Sequence, residues 1–143
     1  MSELFAWTEE YSVDVVEMDE QHKQFIALGN DVLEYAATCA QVAVRPEQLQ
    51  FLLDRLGNYA LYHLGSEEVY LKKFGCAHVD RHLYMHKQFR DTLRSYMSRY
   101  RDGVADPCRL ANEIASFCVS WLLTHILVMD KGYTTCFHRH GKS

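Results

Sequence analysis

The side chains able to do chemistry in this 143-residue chain are histidines and acids at helical spacing: His22, His63 with Glu67, His82 with His86, and His125 with Asp130. Residues four apart on a helix differ by only about 40° in direction, so His63/Glu67 and His82/His86 each turn two side chains toward one neighbour. Asp130 follows His125 by five residues, about 140° round an ideal helix, and needs a loosened last turn just before Gly132. Five imidazoles and two carboxylates are too many for one ordinary ion. They suit a pair of ions that share carboxylate bridges. A lone histidine on an apolar face is usually a hydrogen-bonded core residue. Seven such groups buried together would each need a separate partner, whereas coordination satisfies them at once.

Imidazoles with carboxylates suit iron, zinc, copper or nickel, and ligand type alone does not choose among them. A hydrolytic zinc pair would want a general base beside an open coordination position. Glu68 does not meet that need, because it lies about 100° off the Glu67 stripe and is expected at a helix end or on the surface.

Four amphipathic helices must position these groups. Met18, His22, Phe25, Gly29, Val32 and Ala36 alternate steps of four and three, the pattern of a helix facing a core. Pro46 suits the first turn of a second helix through Leu49, Leu53, Leu56, His63, Glu67 and Leu71, stopped by Gly75. Asp80 is the expected cap of a third, with His82, His86, Phe89, Leu93 and Tyr96 on its seam and Gly103 at its end. Asp106-Pro107 starts a fourth through Leu110, Ile114, Phe117, Trp121, His125 and Val128, before Gly132. No hairpin signal or internal repeat is present. Short connections imply an all-α, antiparallel up-down-up-down four-helix bundle, with residues 1–17 as an extended leader, 18–133 as the bundle and 134–143 as a tail. In that topology the ligands lie early in the first and third helices and late in the second and fourth, so they meet at one end.

Composition bounds the rest. The chain is long enough for one domain with one core. Its net charge of −4, with 15 dispersed Lys and Arg, offers no footprint for nucleic acid. The five cysteines, Cys39, Cys76, Cys108, Cys118 and Cys136, are odd in number and contain no Cys-x-x-Cys pair, so reduced thiols in a cytoplasm are expected. Glu3, Glu9 and Glu10 argue against a signal peptide. Cys118 to Met129 is expected to be too short to insert in a membrane.

Trp7 with Tyr11, the run Asp19-Glu20-Gln21-His22-Lys23, His63-x-x-x-Glu67-Glu68, His82-x-x-x-His86, and Trp121-Leu122-x-x-His125 with Asp130 and Tyr133 resemble the bacterial hemerythrins over nearly the whole chain. The resemblance implies two non-haem iron ions with an oxo or hydroxo bridge that bind O2 reversibly. It assigns His82, His86 and His125 to one saturated iron, His22 and His63 to an iron with an open position, and Glu67 and Asp130 to bridges. It makes Trp121, Leu122 and Ile126 an apolar wall of the O2 pocket and gives Tyr133 packing and hydrogen bonding.

Five neutral imidazoles with two carboxylates stabilise high iron oxidation states less than four-carboxylate sites do, which favours carrying O2 over cleaving it. Oxygen carriage, storage or supply in the cytoplasm is therefore the leading expectation, and not catalysis. The alternatives are a di-iron enzyme reducing peroxide or nitric oxide, and an O2 or redox sensor working through a separate protein partner.

Two positions depart from the family pattern: Asp14 stands where many relatives have glycine, and Leu64 where phenylalanine is common. His78 and the tail histidines His138 and His140 are expected to be non-ligands, the latter two on a solvated terminus. Cys118 is expected to serve as small-residue packing.

Overall fold

The computed structural model describes residues 4–39, 45–103 and 106–143. Four long helices, α1 (Val16–Ala37), α2 (Pro46–Lys73), α3 (Val79–Asp102) and α4 (Pro107–Val128), form the antiparallel bundle, and a short α5 (Thr134–Arg139) follows a 3-10 turn at Asp130–Tyr133. No strand occurs among the described residues. The core is one cluster, in which Phe25, Leu53, Phe89, Ile114 and Leu122 are fully buried.

Helix α1 packs most extensively on α4 and α2. Gly29 permits the first of these approaches, because a Cβ there would collide with Val119. Pro46 opens α2 as its composition implies, and Asp106 caps α4 by accepting from the N–H groups of Cys108 and Arg109. Gly75 (φ 59°) and Gly103 (φ 67°) follow α2 and α3 in the left-handed conformation that glycine adopts without strain. The start of α3 differs from expectation: its cap position is His78, itself left-handed (φ 63°), while Asp80 lies in the first turn, where its charge favours the helix dipole. Asp14 is left-handed too (φ 56°), which gives a physical reason for glycine at that place in relatives.

Two further sequence expectations are overturned. Cys39 pairs with Cys108 and Cys76 with Cys136, leaving only Cys118 free. The pairs are 69 and 60 residues apart, so no local spacing could reveal them; the bundle brings helix ends together that the sequence keeps apart. Nor is the tail a solvated terminus. Phe137 is fully buried and stacks on Tyr133 at 4.1 Å, Thr134 donates to the Val13 carbonyl (2.6 Å), and Lys142 pairs with Glu17 at 2.8 Å. His138 and His140 are exposed, with His138 at 2.6 Å from the Asp14 carbonyl and His140 stacked on Phe74.

Helix α4 as a whole, with mean hydropathy 1.4 over its apolar window, is long and apolar enough to cross a membrane by length and composition, a test that the shorter stretch from Cys118 did not meet. Its Leu110, Ile114, Cys118, Leu122 and Ile126 are buried in the bundle.

Candidate metal centre

His22 sits in the second turn of α1, His63 and Glu67 near the end of α2, His82 and His86 in the first turns of α3, and His125 near the end of α4. The up-down topology brings all of them to one end of the bundle. Asp130 reaches them because α4 stops at Val128 and the chain tightens into the 3-10 turn, the loosened last turn that its spacing required. All seven are buried, five of them fully.

The side chains form two groups. One atom each from Glu67, His82, His86, His125 and Asp130 lie within 4.8 Å of one another, and so do atoms from His22, His63, Glu67 and Asp130. The groups share both carboxylates, and each carboxylate turns one oxygen to each group. Glu67 Oε2 is 3.4 Å from His22 and from His63, while Oε1 is 3.2 Å from His86 and 3.4 Å from His82. Asp130 Oδ2 is 3.3 Å from His22, while Oδ1 is 2.9 Å from His82 and 3.1 Å from His125.

The donor set fits cations. His22 Nε2, His63 Nε2, Glu67 Oε1 and both Asp130 oxygens are buried without a well-formed hydrogen bond. His125 Nε2 lies 3.0 Å from His82 Nε2 and 3.2 Å from His86 Nε2, three ring nitrogens converging on one point.

Neighbouring side chains fix two of the imidazole tautomers. Gln21 Nε2 donates to Ser66 at 3.1 Å, which turns its carbonyl oxygen to His63 Nδ1 at 2.8 Å. That nitrogen must therefore carry the proton, leaving Nε2 as a lone pair toward the site. Glu68 does the same for His86: its carboxylate accepts from Nδ1 at 2.8 Å and is held from behind by both terminal nitrogens of Arg90, at 2.7 and 3.1 Å. The helix-end or surface role expected of Glu68 is thus replaced by a supporting one. Tyr133 donates to Glu67 Oε2 at 3.0 Å, in line with its expected hydrogen-bonding role.

Charges follow from this packing. Burial pushes the Glu68 carboxyl up, but the His86 N–H and Arg90 outweigh it and hold it at about 2. Burial lowers His22 and His82, yet the Asp130 and Glu67 carboxylates beside them raise both to about 9. Protons on these imidazoles are one way to balance two buried carboxylates. Divalent cations would displace them.

Trp121 is half-buried and stacks on His125 at 4.4 Å, edge-on to Phe89, so it flanks the three-histidine group. Leu122 and Ile126 are fully buried. Neither group includes His78, His138 or His140.

A family profile described as the hemerythrin HHE cation binding domain matches residues 13–136. The chain belongs to the hemerythrin family. It is 25% identical to a bacteriohemerythrin of Clostridium acetobutylicum over 130 residues, covering 91% of this chain and 98% of the relative. A second bacteriohemerythrin, from Methylococcus capsulatus, is 28% identical over 134 residues, covering 93% and 96%. A wild-type hemerythrin crystal structure superposes with a TM-score of 0.82 at 26% identity, covering 94% of this chain and 98% of that one. The hemerythrin fold and its His/Glu/Asp cluster together point to an iron-binding, O2-binding protein.

Gln21 and Glu68 are the functional residues that seam periodicity missed. Each is next in sequence to a residue of the cluster, about 100° off its stripe, and so faces a neighbouring helix. The signal was present only in the runs Gln21-His22 and Glu67-Glu68.

Proposed function

We propose that this hemerythrin binds O2 reversibly at two non-haem iron ions with an oxo or hydroxo bridge. His82, His86 and His125 would hold one ion and His22 and His63 the other, with the Glu67 and Asp130 carboxylates placed to be shared between them. The observation that supports this most is the sharing of both carboxylates, one oxygen toward each histidine group. Two bound ferrous ions would supply the two-electron redox chemistry that reversible O2 binding needs.

The protein's own residues do the rest. The group with fewer imidazoles is the one left with room for O2. Leu122 and Ile126, both buried on α4, would supply the apolar wall that keeps water and protons from bound O2, with Trp121 extending it over His125. Gln21 and Glu68 hold His63 and His86 in metal-binding tautomers, and Tyr133 fixes Glu67. The role we assign is carriage, storage or supply of O2 and not catalysis. Cytoplasmic placement requires both disulfides to persist among reducing thiols, and so the disulfides count against it.

The test is a visible spectrum of the reduced, iron-loaded protein under nitrogen, in air, and under nitrogen again. A band that appears in air and disappears on deoxygenation is the expected result. Irreversible passage to an oxidised form, with rapid turnover of peroxide or nitric oxide, would replace carriage with the enzyme reading.

A further inference from the structure

We infer that the groove between α2 and α3 is a binding site for a small apolar molecule ending in a carboxylate. The groove encloses about 340 Å³, within the range of small-ligand pockets. It lies outside the metal centre, one residue removed from it: Arg90, on its wall, is the side chain that holds Glu68.

Gly57 is the first argument. Glycine is the poorest helix former after proline, so one in the interior of a 28-residue helix calls for a reason. At Gly29 the reason is packing, since a Cβ would collide with Val119. At Gly57, as at Gly65 in the same helix, no heavy atom lies within 4 Å of where a Cβ would stand, so packing demands glycine at neither; of the two, Gly57 lines the groove. The missing side chain keeps the groove open where a larger residue would fill it.

The lining is the second. Leu61, Leu93 and Met97 supply apolar walls, and Leu61 remains 43% exposed although it faces a concave surface. Arg90 and Arg94 project from α3 on the same side, one turn apart. Arg94 has a side chain 75% exposed, and its contact is 3.4 Å to the exposed Asp91, which Lys87 already holds at 2.7 Å. Arg90 spends two of its five N–H donors on Glu68. A planar carboxylate matches the donors these guanidiniums have left, while an apolar body covers the leucines and Met97. Asp54, also in the lining, accepts from Gln50 at 2.8 Å and disfavours a second negative group on the ligand.

The test is calorimetry on the iron-loaded protein under nitrogen, with phenylacetate as the probe and 2-phenylethylamine and inorganic phosphate as comparisons. Phenylacetate is expected to saturate one site per chain with a Kd below about 1 mM. Gly57→Leu should abolish the heat by filling the groove, and Arg94→Ala, a surface change that leaves folding intact, should weaken binding about tenfold. Iron content and helicity should be unchanged in both. Absence of saturable heat, equal binding in Gly57→Leu, or binding of the amine or phosphate as tight as that of phenylacetate would overturn the proposal. The heat is read without O2, so failure here leaves the di-iron reading standing, and failure of that reading leaves this site standing.

Discussion

His86 on α3 and His63 on α2, one from each half of the site, differ in what stands behind them. His86 gives its Nδ1 proton to an ionised carboxylate, Glu68, anchored by Arg90; His63 gives its proton to a neutral amide, Gln21, anchored by Ser66. A carboxylate behind an imidazole makes the ring a stronger donor than an amide does. On the proposed di-iron reading, the three-histidine half would hold its ion more firmly than the two-histidine half, which has fewer ligands. Asymmetry in ligand number is reinforced by asymmetry in the supporting hydrogen bonds.

Asp130→Ala breaks the comparison altogether, because it removes a group shared by both halves. We expect affinity for the second ion to fall more than about 100-fold, exceeding the loss of a supporting partner. Metal analysis after desalting would read it as one iron or fewer per chain. Recovery of two irons with unchanged O2 spectra would refute the bridging assignment.

Glu68→Gln and Gln21→Ala sharpen the comparison. Each should weaken one half by about 10–100-fold, with Glu68→Gln the larger of the two. Competition with a chelator of known affinity gives the order. An equal loss at both ions from either variant would show that the halves are not supported separately.

A smaller effect lies away from the ligands. Burial raises the Cys118 thiol from 9.0 to about 12, so the folded chain keeps its proton where the unfolded chain has lost it. Stability contributed by the neutral thiol is thus full below pH 9 and declines as pH rises from 9 toward 12. Denaturant midpoints of the wild type should fall faster over that window than those of Cys118→Ala. Parallel slopes would contradict the shift. At the bottom of the scale, His140→Ala should leave iron content and O2 spectra as they are, since the ring stacks on Phe74 and belongs to neither group.

The clustering of the five histidines and Glu67 was legible in the sequence because each lies on the seam of its own helix, and seam periodicity is a local property. Asp130 was legible only with the added condition of a loosened turn, which the 3-10 segment supplies. Gln21 and Glu68 were not, since their partners lie on other helices, 42 and 18 residues away. The same physics hid the disulfides and the docking of the tail, where Cys136, Phe137 and Lys142 meet Cys76, Phe74 and Glu17. Asp19 was legible as part of a family run, and the structure shows its work: it accepts from Ser12 Oγ at 2.6 Å and from the Val13 N–H at 2.8 Å, fastening the leader to α1. Pairings set by tertiary contact leave no period in the sequence.

The most direct test of a two-ion centre with unlike halves is an anaerobic titration of the metal-free protein with ferrous iron, for the wild type and for Glu68→Gln. The account predicts two ions per chain bound in separable steps, with Glu68→Gln weakening the tighter step and leaving the other in place. A single ion per chain, or two indistinguishable steps that move together in Glu68→Gln, would contradict it.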